Sequence, residues 1–103
     1  MIEVKFGEYS IDATGHAETA PIGEDLVCMA VSVVLWALLD GLSRLEGVES
    51  KGSDLRPGNG HVEAHGVPPE GDGMFMMAET ALRVLAAQFP DAVKIAEQEK
   101  PPE

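Results

Sequence analysis

One cysteine, Cys28, and a histidine twelve residues before it, His16, are the side chains whose types and spacing fit nucleophilic chemistry. A thiol attacks as its thiolate, and an imidazole within hydrogen-bond reach is a suitable group to take the proton. Asp25 reads as the N-cap of the apolar helix that follows it, which places Cys28 at the third helical position. The unpaired N–H groups of that first turn would stabilise a thiolate and receive the oxyanion of an acyl-transfer intermediate. Glu24 and Asp25 oppose the thiolate by like-charge repulsion, and a neighbouring cation would decide the balance. His16 sits in a glycine-rich loop in which Gly15 and Gly23 supply the freedom to fold it over Cys28. Ser32 lies one helical turn after Cys28 and Asp25 one turn before it. Either can orient His16 or position a substrate, and the spacing does not choose between them.

Each of these residues also has a plainer explanation. A lone cysteine in an apolar helix is by default a small core residue, and a serine there bonds the carbonyl one turn back. Asp25 can be only a cap, and a loop histidine only solvated. His61 and His65, four apart, share one side of a strand or helix and with Cys28 or His16 would make a partial zinc set. The sequence has no second cysteine and no His-Glu-x-x-His pattern, so surface imidazoles are the expected reading and no metal is assigned. Met74, Met76 and Met77 fit core or subunit contacts. No Gly-Lys-Ser or Gly-Lys-Thr occurs, and Gly71-Asp72-Gly73 runs into Met74, so neither nucleotide binding nor another cofactor is expected.

The elements that must position these residues follow from periodicity. Ile2, Val4 and Phe6, then Tyr9, Ile11 and Ala13, alternate with polar neighbours and predict two strands joined at Gly7-Glu8 by a type II′ turn. Residues 15–25 break every period and read as a loop. From Leu26 to about Leu45 the chain is apolar almost all round, which predicts a helix enclosed by other elements or by a second subunit, with Gly47 ending it. Val48 to Asp54 and His61 to Val67 flank the turn signal Arg56-Pro57-Gly58-Asn59-Gly60 and predict a second hairpin. Pro68 to Gly73 reads as a linker. Phe75, Ala78, Leu82, Leu85 and Phe89 then keep helical spacing, Phe89-Pro90-Asp91 stops it, and Val93 and Ile95 fit a short last strand. The expected fold is α+β, a small antiparallel or mixed sheet with two helices packed on one face. One domain is expected over residues 1–97, with 98–103 as a flexible tail.

Composition narrows the partners. The 103 residues carry 7 Lys and Arg against 18 Asp and Glu, a net charge of −11, spread along the chain. Phosphate binding needs clustered cations, so nucleic acid is excluded as an expected partner, whereas an acidic surface steers basic chains toward itself. A single cysteine allows no internal disulfide and suits a reducing cytoplasm. The apolar run Leu26 to Leu39 falls short of the ~20 residues that cross a bilayer. Met-Ile-Glu-Val-Lys does not resemble a secretion signal, so no membrane or export role is expected.

Thr14-Gly15-His16-Ala17, then Gly23-Glu24-Asp25-Leu26-Val27-Cys28 and Ala30-Val31-Ser32, resemble the signature of the bacterial ribosomal-processing cysteine protease family, Prp. The likeness continues through Leu82-Arg83-Val84-Leu85 and Phe89-Pro90-Asp91-Ala92-Val93-Lys94-Ile95, which look like the family's last helix and closing strand. The resemblance implies a cytoplasmic cysteine endopeptidase, usually a homodimer, that removes an N-terminal extension from large-subunit ribosomal protein number twenty-seven during ribosome assembly. Family members in phages process head proteins, which makes these the second substrate class. By position Cys28 would be the nucleophile and His16 the general base, with Gly15, Asp25 and Ser32 in support. Ala17, Gly23 and Glu24 would belong to a loop that closes over the substrate. Met29 departs from the small residue usual after the cysteine and would narrow the cleft, and the middle hairpin, with Lys51, Asp54 and Arg56, is unusually polar. The rival expectation is a non-catalytic dimeric module whose acidic surface holds basic ribosomal or capsid proteins.

Overall fold

The computed structural model describes residues 1–15, 22–56 and 59–96. In chain order they form β1 (Ile2–Gly7), β2 (Ser10–Thr14), α1 (Ile22–Ser43), β3 (Glu49–Arg56), β4 (Asn59–His65), α2 (Pro69–Gln88) and β5 (Val93–Ala96). The strands make one sheet in the order β3-β4-β2-β1-β5. All neighbours are antiparallel except β5, which runs parallel to β1 with Ile2 opposite Val93 and Val4 opposite Ile95. This is the α+β class expected, with a mixed sheet.

The inner face of the sheet contributes Ile2, Val4, Ile11, Val62 and Val93 to one buried cluster. From the helices that cluster takes Val31, Leu35 and Leu42 of α1 and Ala78 and Leu82 of α2. α1 packs across β3 and β4, and α2 packs beside α1 and against β5. Burial of this shared face, rather than helix propensity, holds the layers together. By length and composition Leu26–Ser43, with mean hydropathy 2.1, would also suffice to cross a membrane. Its Val27, Val31, Leu35, Leu38 and Leu42 face is spent on the core instead, while Leu26, Met29, Val33 and Trp36 form an exposed stripe on the other side.

Several boundaries differ from the sequence expectation. Gly7 pairs with Ser10, so the first turn is Glu8-Tyr9, one residue later than expected. A type II′ turn needs a positive φ at its first central residue. Here the second one, Tyr9, has φ 56, the one positive value at a non-glycine position among the described residues. A left-handed tyrosine costs about 1–2 kcal/mol. Tyr9 offsets this with an edge-on contact to Phe75 at 5.6 Å between centroids and by accepting the Ala64 N–H at 3.0 Å. Pro68 to Gly73, expected as a linker, is largely the first turn of α2, with Pro68 as N-cap and Pro69 as the first helical residue. Proline has no N–H to lose there, and Glu70 and Asp72 meet the positive helix end. Gly71 is buried where a Cβ would collide with Val67. Finally, α1 stops at Ser43, before Gly47, which takes φ 80 on the way into β3. The second hairpin runs longer than expected: Arg56 and Asn59 pair as strand residues, and Pro57 and Gly58 lie outside the described residues. Phe89, at the expected helix stop, is the exposed C-cap of α2.

The outer face of the sheet is polar. His61 lies between two carboxylates, with Nδ1 3.3 Å from Asp12 Oδ1 and Nε2 3.2 Å from Glu63 Oε1, and His65 Nε2 lies 3.3 Å from Glu63 Oε2. Hydrogen bonds from His61 and His65 hold the Glu63 carboxyl below its ordinary value of 4.5. A carboxylate lowered by folding adds stability above its unfolded pKa and loses it as pH falls through the lower folded value. Thermal melts of Glu63→Gln should therefore show a shallower acid limb below about pH 4.5 than the parent protein, with curves of matching slope above it.

Candidate active site

α1 begins at Ile22, four residues before Leu26, which overturns the reading of Asp25 as the N-cap. Glu24 and Asp25 therefore fall within the first turn. Cys28 is consequently the seventh helical residue rather than the third. Its own N–H falls inside the i to i−4 ladder and is no longer an orphan available to an oxyanion. The helix macrodipole acts mainly within the first turn, so its effect on this thiol is weakened.

What remains is a free thiol on the buried face of α1, 8% exposed, with Ser32 one turn further along the same face and equally buried. Val27 and Val31 flank it in the core cluster. Met29, the departure from the family pattern, points outward and is half exposed. His61 and His65 stand on the outer face of the sheet while Cys28 packs on the helical side, so the sheet separates the partial zinc set, and no group of metal ligands forms among the described residues. His16 and Ala17 lie outside the described residues, and Gly23, Glu24 and Asp25 are placed by backbone alone, in the first turn of α1.

Gly15 closes the described part of the first hairpin. It has φ 131, and a Cβ built there would strike the carbonyl oxygen of Met1. Glycine is needed at this point for close approach between the end of β2 and the start of β1, not only for freedom of the loop. Gly15→Ala should destabilise the domain by about 1–3 kcal/mol through backbone strain, read as a lowered urea midpoint with an unchanged slope.

A family profile described as Cysteine protease Prp matches residues 1–94. The chain belongs to the Prp cysteine protease family. No curated protein sequence matches it. Among solved structures, the fold is similar to the ribosomal processing protease Prp of S. aureus, determined with a covalently linked product peptide. That likeness has 15% identity and a TM-score of 0.73, covering 94% of this chain and 97% of the other. A second S. aureus Prp structure, with a substrate peptide, gives a TM-score of 0.70 at 15% identity over the same shares. The Streptococcus mutans protein SMU.848 matches with a TM-score of 0.74 at 24% identity, covering 92% of this chain and 91% of that one. Membership in the Prp family makes the chain a cysteine protease, and Cys28 is its one cysteine.

Proposed function

We propose that the protein is a cytoplasmic endopeptidase that removes the N-terminal extension of large-subunit ribosomal protein number twenty-seven, with Cys28 as nucleophile and His16 as general base. The observation that carries this reading is the family match over residues 1–94 in a chain with a single thiol. The Cys28 thiolate adds to the scissile carbonyl carbon, and the protonated His16 delivers its proton to the departing amine as the C–N bond breaks. Water, deprotonated by His16, then hydrolyses the thioester and releases the acid product and the thiol. Ser32 and Asp25 act as positioning residues, and Ala17, Gly23 and Glu24 contact the peptide. The two S. aureus structures with bound peptides support a peptide substrate. A net charge of −11 favours capture of a strongly basic ribosomal protein. The exposed stripe Leu26, Met29, Val33 and Trp36 supports a homodimer formed through α1.

The test is to incubate the protein with its host's ribosomal protein in the extended form and follow intact mass. A single shortened product, absent when Cys28 is alkylated, is expected. No shortening would end the ribosomal assignment, and shortening of a phage head protein instead would move the same chemistry to that substrate. Burial of Cys28 favours one rival, a non-catalytic binding module. In that case the thiol resists alkylation until the protein unfolds and no substrate is cut.

A further inference from the structure

The Glu8-Tyr9 turn and the middle of α2 enclose a surface pocket of about 260 Å³ walled by Phe6, Tyr9, Phe75, Met76 and Glu79. It lies at the opposite end of the helical layer from Cys28. α2 packs there beside the C-terminal half of α1, with Met74 Sδ 3.2 Å from where a Cβ on Gly41 would sit. Gly41 is thirteen residues further along α1 than Cys28, about 20 Å at 1.5 Å per step.

Two features of this pocket concern positive charge. Arg83 already stacks on Phe6, its guanidinium carbon 5.0 Å from the ring centroid, while its Nε lies 3.3 Å from Glu79 Oε2. Beside this pair, the Tyr9 and Phe75 rings meet at 5.6 Å, with Asp72 and Glu8 close enough to act on the Tyr9 hydroxyl. A hydrogen bond from the Tyr9 hydroxyl to Asp72, then desolvation, then the charges of Asp72 and Glu8 raise the Tyr9 pKa above its ordinary value of 10.0.

We propose that this pocket holds a lysine or arginine side chain of a basic polypeptide. The aromatic and methionine walls take the aliphatic stem, ring faces attract the cation, and the carboxylates of Glu8, Asp72 and Glu79 meet the charge. An anion would face the Glu79 carboxylate in the wall and, beside Tyr9, those of Asp72 and Glu8, and a purely apolar side chain would strip water from Glu79 without return. The volume suits one side chain. A lone amine or guanidinium gains little from a single open pocket, so the occupant is part of a chain whose further cations lie on the acidic surface. The inference does not rest on the peptidase reading, since it is read by binding alone.

The experiment titrates isotope-labelled protein with a Gly-Arg repeat peptide, its citrulline counterpart and spermidine, following backbone amide signals. Shifts concentrated at residues 6–10 and 72–79 are expected with the arginine peptide. The citrulline peptide and spermidine should each bind about tenfold more weakly or less. Asp72→Asn and Glu79→Gln should each raise the Kd about threefold in protein that still unfolds cooperatively, read at a temperature well below the melting midpoint of each variant. Tyr9→Gly removes the ring and relieves the left-handed tyrosine, so the turn should persist while binding falls. Shifts spread evenly over the surface, spermidine equal to the peptide, or variants that bind like the parent protein would each overturn the proposal.

Discussion

Cys28→Ala is expected to abolish cleavage of the extended ribosomal protein while the domain stays folded. The chain has no other cysteine, so no second thiol can take over the attack on the peptide carbonyl. Loss of a nucleophile removes the covalent route altogether, leaving only what binding contributes, orders of magnitude slower. The structural cost is small because alanine occupies nearly the same place in the core cluster. Deleting one buried sulfur should cost about 1 kcal/mol and lower the melting temperature by roughly 4–8 °C. His16→Ala should act differently. The thiol is retained but its base is lost, so the rate should fall by roughly 10²–10⁴ and recover partly toward alkaline pH, where a thiol ionises unaided. Intact-mass time courses over a pH series, run beside thermal melts, separate the two variants. Cleavage by Cys28→Ala at the parental rate would remove Cys28 from the mechanism. A His16→Ala profile parallel to the parent's at every pH would remove His16 as the base and leave it, at most, a positioning role.

The parts of the fold that follow an exact period were legible in the sequence. Alternation at Ile2, Val4, Ile11 and Ala13 corresponds to β1 and β2, and the Ala78–Leu82 spacing to the buried side of α2. The errors cluster where proline and glycine were taken as breakers. α1 starts at Ile22, four residues earlier than expected, and Pro68-Pro69 open α2, where the first helical turn has N–H groups to spare and loses nothing to a proline. That shift of four residues changed the chemistry assigned to Cys28, moving it from the helix end into the second turn. The register of the first turn failed for a related reason: Gly7 is the better turn former, yet Tyr9 takes the left-handed position because its ring finds Phe75, a tertiary contact that no local pattern encodes. The Tyr9 pocket was invisible for the same cause. Sequence also could not say which side of α1 faces inward, since apolar residues surround it.

That last ambiguity leads to the second large effect. Trp36→Arg is expected to abolish the homodimer proposed above without unfolding the domain. Trp36 is 59% exposed on the same side of α1 as Leu26, Met29 and Val33, and the core has no use for it. A groove lined by Val34, Ala37, Glu70, Met74, Met77 and Ala81 lies between α1 and α2 on a different flank of α1, so in a two-fold pairing of the stripes Trp36 would pack on Leu26, Met29 and Val33 of the second copy. Burying the exposed part of one tryptophan contributes about 3 kcal/mol at ~25 cal/mol per Å². In a two-fold interface each such contact occurs twice, for about 6 kcal/mol, or roughly four orders of magnitude in Kd. An arginine there would bring two positive charges, one from each copy, into that apolar contact. Light scattering should report twice 10.9 kDa for the parent and 10.9 kDa for the variant. Because Trp36 is the only tryptophan, the parent's emission should also shift to the red on dilution through the dimer Kd. A parent that scatters as a monomer, with emission independent of concentration, would leave the α1 stripe without a second copy to cover it.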